Sequence, residues 1–493
     1  MEAPVVTVIN RELLIDGHWR PPVDGGSVAI SDPATGELVG TSAVAGPADL
    51  DAAVAAARRA QPEWGRTHPD ERAAILHAAA DRLASRVDEI AVVLTREQGK
   101  PVADSRKEIL FGVDVMRYYA EEARRTGGTI RPSARKDVRS LVMYAPVGVV
   151  AAIVPWNYPV DLYCWKVAPA LAAGCAVVAK PPWETPLAVG EVARCLRDAG
   201  LPPGVIADLP GDATIGTRLV EHDGVDMVTV TASTETGRAV MRAASQSLKR
   251  LSLELGGHTP FIVLDDADIE EAVAACARRS YSNMGQICIA VNRVLVADGV
   301  ADTFVDALAA EADKLEVGQG VERGVSYGPM LNAAVRTRVE THVHDAVARG
   351  GVLLTGGHAP KGETYERGFF YRPTVIDHVP QDARIMTEET FGPAVGVHRL
   401  DNDAALLQAA NRLPYGLAAY VYSRDLERAW AFAERIEAGA VGINVNDVTE
   451  LQAPFGGWKL SGFGCDLGPE GLFTYLQSRH LRMRVRPWEA PTS

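Results

Sequence analysis

The sequence contains no C-x-x-C pair, no G-x-G-x-x-G and no cluster of lysine and arginine. Its longest apolar run, 167–179, is too short to span a bilayer and has lysines at both flanks. Each gap excludes something. Six cysteines (164, 175, 195, 276, 288 and 465) in so long a chain, without metal spacing, predict reduced thiols in a cytoplasmic protein. A formal net charge of −13 with no basic patch argues against nucleic acid and against an anionic membrane as partner. The opening Met1-Glu2-Ala3-Pro4 lacks the basic-then-apolar layout of a secretory leader. The eleven histidines are scattered. Only His342 and His344 stand close together, and they read as surface residues of a helix, so no metal site is expected.

What is present is ordinary globular composition. The 493 residues are 47% hydrophobic and 23% charged, enough chain for two or three domains. Short strands and turns occupy the first forty-odd residues, at 13–15 and 28–30. Helical periodicity starts at Asp49, taken as an N-cap, and recurs over 70–86, 88–98 and 105–125. These helices carry no visible chemistry and are assigned to packing. From 147 the texture becomes strand–helix alternation, with strands at 147–154, 175–179, 205–209, 227–231 and 251–255. Repeated βα units predict a parallel sheet covered on both faces, with ligands at the carboxyl ends of its strands. Asn157, Lys180, Ser233 and Glu254 all fall at that end. A second α/β block covers about 260–445, with strands at 261–264, 293–297, 419–422 and 441–444. Two extended segments, 139–144 and 480–485, have few obvious partners and predict edges that pair with another subunit.

The candidate chemistry centres on Asn283-Met-Gly-Gln-Ile-Cys288. A cysteine after Gly-Gln, where helical spacing gives way to a strand, lies on a connection from which its sulfur can face a cleft. A thiolate nucleophile needs donors for the oxyanion formed on attack and a base to resolve the covalent intermediate. Cys288 supplies its own backbone N–H, and Asn157 can supply an amide. Glu254, set between Leu253 and Leu255, is costly to bury, so it is either paired or kept as a base of raised pKa. Thr231-Ala-Ser233 leads into Glu235 and Gly237 at a helix start, an end that favours phosphate.

Taken together, Pro155-Trp-Asn-Tyr-Pro159, Lys180-Pro181, Ser233-Thr-Glu-Thr-Gly237, Leu253-Glu-Leu-Gly-Gly257, Gly285-Gln-Ile-Cys288, Glu388-Glu-Thr-Phe-Gly-Pro393 and Pro454-Phe-Gly-Gly457 resemble the aldehyde dehydrogenase superfamily, in order and over nearly the whole chain. The resemblance implies an α/β fold. A Rossmann-like parallel-sheet cofactor domain would cover 1–124 and 146–256, a second α/β catalytic domain 257–455, and a small β oligomerisation ribbon 125–145 and 472–493. It implies NAD(P)-dependent oxidation of an aldehyde to the acid in a homodimer or homotetramer. Cys288 would attack the aldehyde, Asn157 hold the oxyanion, and Glu254 activate the water that hydrolyses the thioester. Cofactor contacts implied are Ile153, Trp156, Lys180, Trp183, Ser233, Gly237, Leu255, Glu389 and Phe391.

The departures from the family pattern bear on specificity. The acid that commonly stands three residues after the lysine is here Trp183, so NAD is expected first with NADP possible. Lysine after Gly-Gly is replaced by His258, and an arginine common near the tail by Cys465. The matching substrate tunnel is Tyr158, Leu162, Trp165, Ser282, Ile287, Ile289, Thr449 and Phe455. Relatives that oxidise succinic semialdehyde place arginines at the positions of Trp165 and Ser282. Their absence predicts an uncharged aliphatic or aromatic aldehyde, with a semialdehyde or a cationic amino-aldehyde (Asp447 and Glu450 near the mouth) as the alternative. A catalytically silent cofactor-binding homologue is the reading from another class.

Overall fold

The computed structural model describes residues 9–486. The most apolar strands lie at the centre of a sheet. Ala176–Lys180 and Met227–Thr231 are buried at every position and Val149–Ile153 at all but its last. Strands buried on both faces read as unbroken apolar runs because helices cover both sides. They form an eight-stranded sheet in the order Gly462–Phe463, Arg250–Glu254, Met227–Thr231, Val149–Ile153, Ala176–Lys180, Ile206–Asp208, Leu13–Ile15, His18–Arg20. The central strands from Arg250–Glu254 to Ile206–Asp208 run parallel. Glu254, Thr231, Ile153 and Lys180 therefore end four neighbouring strands at one edge of the sheet.

A second sheet takes the order Val352–Thr355, Thr374–Asp377, Ala394–Leu400, Arg293–Ala297, Pro260–Val263, Ala418–Tyr422, Ala440–Ile443, parallel except for its first strand. The sequence reading finds four of these strands. It misses Val352–Thr355, Thr374–Asp377 and Ala394–Leu400. The last of these mixes Gly396, His398 and Arg399 into its apolar positions.

One helix decides where the site lies. Pro159–Ala173 is buried along its whole length, which fits its nearly all-apolar sequence. Its first turn is held by the Glu108 carboxylate, which accepts the N–H groups of Val160 (2.9 Å) and Asp161 (3.4 Å). An anion at a helix N-terminus satisfies otherwise orphaned donors and complements the helix dipole. Glu108 in turn comes from Val102–Glu122, so that helix does more than pack.

Three expectations are corrected. Asp49 is not the cap of its helix. Pro47–Trp64 starts after Gly46, and the Asp49 side chain folds back to accept the Gly46 N–H at 3.1 Å. His342 is not a surface residue. It lies on the buried stripe of Ala333–Ala348 with Val335, Val339 and Val343, its Nδ1 3.1 Å from Thr390 Oγ1. The two extended segments are not partnerless. Val138–Pro146 and Leu476–Arg484 pair with each other, from Leu476 opposite Pro146 to Arg484 opposite Val138, with Thr129–Arg131 on the far side of the first. The outer edge of Leu476–Arg484 has no strand partner among the described residues, and Leu481 and Met483 are exposed on it. No helix among the described residues is long and apolar enough to cross a membrane.

Candidate active site

Cys288 lies between the helix Ile269–Tyr281 and the strand Arg293–Ala297, on the connection the sequence predicts. The backbone before it is unusual. Asn283 (φ +48°), Met284 (+53°) and Gly285 (+70°) are three successive left-handed residues. For Met284 that conformation costs about 1–3 kcal/mol and needs outside support. Gly285 is obligatory, since an added Cβ would sit 2.3 Å from the Gly392 carbonyl oxygen. The support is a closed set of amide bonds. Gln98 Nε2 donates to Asn283 Oδ1 (3.0 Å), and Asn283 Nδ2 donates to the carbonyls of Asn157 (3.0 Å) and Gln286 (3.2 Å). Gln286 Nε2 donates to Asn283 O (3.1 Å) while its Oε1 accepts Leu331 N–H (3.0 Å).

Asn157 belongs to the same frame. Its Nδ2 donates to Gln286 O at 3.0 Å, which fixes the amide and leaves its second N–H uncommitted. Its carbonyl also accepts from Lys100 Nζ at 2.7 Å. Lys100 is fully buried, ion-paired with Glu108, and 3.9 Å from the Tyr158 ring centroid. The lysine and carboxylate together hold both the Asn157 main chain and the start of the following helix.

Asn157, Glu254 and Cys288 all line one cavity of about 600 Å³. The expected tunnel residues line it too: Tyr158, Leu162, Trp165, Ser282, Ile287, Ile289, Thr449 and Phe455. Trp165 packs edge-on to Phe455 at 5.4 Å. The Cys288 thiol is half-buried, and burial together with Glu389 and Glu254 pushes it up to about 12, eased by its own backbone N–H and by Arg279. Glu254 is 3% exposed and neither carboxylate oxygen has a protein partner. Burial, then Asp466, raises its pKa well above the ordinary carboxylate range, while Lys166 opposes. Lys166 and Asp466 form a buried pair at 2.9 Å. A buried, unsatisfied carboxylate beside a nucleophile is what a general base looks like before substrate enters.

Most residues expected at the cofactor follow the strand ends of the first sheet, while Glu389 and Phe391 come from the connection before Ala394–Leu400 of the second. Lys180 is buried, and its Nζ makes one hydrogen bond, to Pro181 O at 3.3 Å. Trp183 is 38% exposed. Ser233 caps the helix Thr234–Ala244 through Thr236 N–H (3.2 Å). At Gly237 an added Cβ would meet Leu255 at 2.5 Å. Ile153 ends its strand beside Lys180 in register. Trp156 and Phe391 meet edge to face at 5.4 Å. Glu389 accepts Gly257 N–H at 3.2 Å, and burial pushes its carboxyl up to about 7. Of this group only Leu255 also lines the substrate cavity. His258 is buried against Ile385 O (3.0 Å), and Cys465 is half-buried with its thiol pushed up to about 11 by burial.

The sequence reading missed several lining residues: Asp161, Arg278, Arg279 and Asp466, with Asp104 and Lys107 nearer the exterior. Arg279 is the most consequential. Its side chain is 8% exposed, donates Nε to Asn446 O (2.7 Å) and pairs with Asp447 (2.7 Å). Arg278 beside it is exposed and has no carboxylate within ion-pair reach among the described residues. Lys166 carried a usable signal, because a lysine inside an otherwise apolar helix must be paired.

A cysteine on a framed turn, an anchored amide and a buried carboxylate around one cavity define a thiol enzyme that acts on a carbonyl carbon. The chain belongs to the aldehyde dehydrogenase family, whose sequence model ("Aldehyde dehydrogenase family") matches residues 19–481. It is 39% identical to glutarate-semialdehyde dehydrogenase of Pseudomonas aeruginosa, over 98% of this chain and 99% of that protein. It is 38% identical to the NADP-dependent succinate-semialdehyde dehydrogenase of Escherichia coli, over 96% of this chain and 98% of that one. The structure of Staphylococcus aureus betaine aldehyde dehydrogenase with NAD+ superposes with a TM-score of 0.94 at 35% identity, covering 97% of this chain and 95% of that chain.

Two predictions follow from these pairs. Asp466 raises the Glu254 pKa and Lys166 lowers it less. Asp466→Asn leaves either a lone cation or no charge, and both outcomes lower the Glu254 pKa. The acidic limb of the kcat profile is expected to move to lower pH; movement to higher pH would disprove the coupling. Lys100→Met strands the Glu108 charge and is expected to destabilise the fold by about 3–5 kcal/mol. Adding Glu108→Gln should restore much of the Tm but not kcat, since Asn157 still lacks its donor. Equal recovery of both would make the pair purely structural.

Proposed function

We propose that this enzyme oxidises a semialdehyde, an aldehyde carrying a carboxylate at its far end, to the dicarboxylic acid with NAD(P). The observation that carries the reading is Arg279, a buried guanidinium in the same cavity as Cys288. The expectation of an uncharged substrate rests on the missing arginines at 165 and 282. The cavity nevertheless holds two arginines on the helix that ends just before Ser282. The relatives named above favour the semialdehyde alternative in the same direction. Asp447 pairs with Arg279 through one contact, and Asp447 is about half exposed. A substrate carboxylate can take its place and satisfy the guanidinium bidentately, an arrangement that favours Arg over other cations.

The roles proposed for the reacting end follow from the same geometry. Cys288 adds to the aldehyde carbon. The uncommitted Asn157 N–H and the Cys288 backbone N–H receive the oxyanion, and losing one such donor costs about 10²–10³ in rate. Arg279 favours the thiolate, and Glu254, whose burial keeps its proton affinity high, takes a proton from the water that resolves the thioester. A bound nicotinamide supplies the hydride acceptor.

The residues at the sheet edge fit such a dinucleotide. Lys180 has donors to spare, the Ser233 helix start suits a pyrophosphate, and Gly237 lets that helix pack closely on Leu255. Glu389, with Trp156 and Phe391, would border the nicotinamide. Trp183 takes one carboxylate away from the ribose side, while Glu184 and Asp212 still lie near Lys180, so NAD comes first and NADP is admitted with it. We further propose the cofactor, catalytic and ribbon domains at the boundaries given above, of which 1–8 and 487–493 lie outside the described residues. A homodimer or homotetramer formed through the open edge of Leu476–Arg484 and a cytoplasmic location complete the reading, supported by the exposed Leu481 and Met483 and by six free thiols.

Reduced-nicotinamide absorbance with glutarate and succinate semialdehydes, pentanal, benzaldehyde and 4-aminobutanal tests the substrate. Arg279→Leu lowers the rate with every aldehyde through the lost support of the thiolate, and is expected to cut kcat/KM for the semialdehydes by about tenfold more than for pentanal. Equal losses, or a wild-type preference for pentanal, would reject the carboxylate site. Trp183→Glu is expected to lower kcat/KM for NADP relative to NAD by about tenfold, since like charges are brought together; an unchanged ratio would place the ribose elsewhere.

A further inference from the structure

Asp161 stands on the cavity wall in the first turn of Pro159–Ala173, with Leu162 and Trp165 as neighbours there. It is 8% exposed. One oxygen, Oδ1, accepts Trp165 Nε1–H at 2.7 Å, a bond between residues one helical turn apart that fixes the carboxyl's orientation. Its other oxygen has no hydrogen-bond partner among the described residues. That oxygen is not among the sealed, unsatisfied polar atoms of the protein either, so it keeps accessible surface. Since the residue lines the cavity and is otherwise buried, the accessible part of the carboxyl faces the substrate space. The mechanism above does not use it. A buried carboxyl oxygen left unpaired is unfavourable unless something in the cavity pairs with it.

We propose that Asp161 is a specificity-determining residue that hydrogen-bonds a hydroxyl group on the substrate chain, so that the enzyme prefers hydroxylated aldehydes to their deoxy counterparts. The chemistry of the surroundings selects a hydroxyl over an ammonium group. A hydroxyl donates and accepts, so it pairs with the carboxyl in either protonation state. A cation would need Asp161 ionised in the wall, and four of the other acids on the lining, Asp104, Glu108, Asp447 and Asp466, are already paired with Lys107, Lys100, Arg279 and Lys166. Burial, and then the nearby Glu108, hold Asp161 well above the ordinary carboxylate range. A site built around a hydroxyl discriminates strongly against the analogue that lacks it, because the protein group is then left unpaired. The inference rests on the proposed semialdehyde reading for the charge at the substrate's far end, and adds a hydroxyl between that charge and the aldehyde.

The test uses aldehydes without a carboxylate, so that it can fail without the carboxylate reading failing. Wild-type kcat/KM is measured for lactaldehyde, 3-hydroxypropanal, propanal and 3-aminopropanal. A preference of at least about tenfold for one hydroxylated aldehyde over propanal is expected. It should vanish in Asp161→Leu and persist in Asp161→Asn, whose amide can still accept from Trp165 and pair with a hydroxyl. A general defect in folding or catalysis would lower all four rates together and leave the ratio intact. Where Asp161→Leu does not fold, inhibition of the wild-type enzyme by lactate, 3-hydroxypropionate and propionate reads the same contact. One hydroxy acid should then bind at least about tenfold more tightly than propionate. Equal rates and equal inhibition in the wild type, a hydroxyl preference that survives Asp161→Leu, or a leading rate with 3-aminopropanal would each overturn the proposal.

Discussion

The geometry of the site depends on holding a strained turn in place. Three left-handed residues, 283–285, let the chain pass beneath Gly392 and bring Cys288 to the cavity. An isolated peptide would not choose that path, since Met284 gains nothing locally from it. It persists because Gln98, Lys100, Asn157, Asn283 and Gln286 consume one another's hydrogen-bonding groups in a buried frame. The consequence is functional as well as structural. The amide proposed to receive the oxyanion and the turn carrying the nucleophile are bonded to each other through Gln286 O and Asn157 O. Their separation is thus set by the frame and not by the flexibility of either side chain. Preorganisation of this kind removes reorganisation from the reaction step.

The cavity is polar in a patterned way. Aromatic and aliphatic side chains line it, among them Trp165, Phe455, Ile287 and Ile289. Charges of both signs also line it, with Arg279 paired to Asp447. A buried ion pair with a half-exposed partner is exchangeable, whereas Lys166–Asp466 and Lys100–Glu108, buried on both sides, are not. The three pairs divide the work accordingly. On the proposed mechanism, two hold the groups assigned to the reaction, and the third presents the counter-ion that a substrate carboxylate would displace.

Much of this was legible in the sequence, for a physical reason. Asn157, Lys180, Ser233, Glu254 and Cys288 sit at strand ends or connections, where polar residues interrupt long apolar runs and stand out. All eight tunnel positions indeed line the cavity. Arg279 and Asp161 were not legible, because each lies inside a helix and its meaning depends on which way the helix is turned. Arg279 follows Arg278 in what reads as a solvated basic pair, and only the packing of Ile269–Tyr281 directs one of them inward. His342 failed in the opposite sense. Its type suggested a surface, although its spacing from Val335 and Val339 already placed it on the buried face. The missing arginines at 165 and 282 were read correctly as absences. The inference drawn from them was too strong, because a cation one helical turn away can face the same space.

The passage between the two sheets supplies the last constraint. Glu254 ends the last parallel strand of the first sheet, and the second sheet begins at Pro260. The link between them runs through Gly256 and Gly257. An added Cβ at the first would come 2.6 Å from Glu389 Oε2, and at the second 2.9 Å from the Cys288 carbonyl oxygen. Any side chain there would push apart the proposed base, the nucleophile's main chain and the carboxylate assigned to the nicotinamide. The crossing between sheets and the assembly of the site are therefore one packing problem. The Leu-Glu-Leu-Gly-Gly run solves it with a buried acid followed at once by two residues that take up no space.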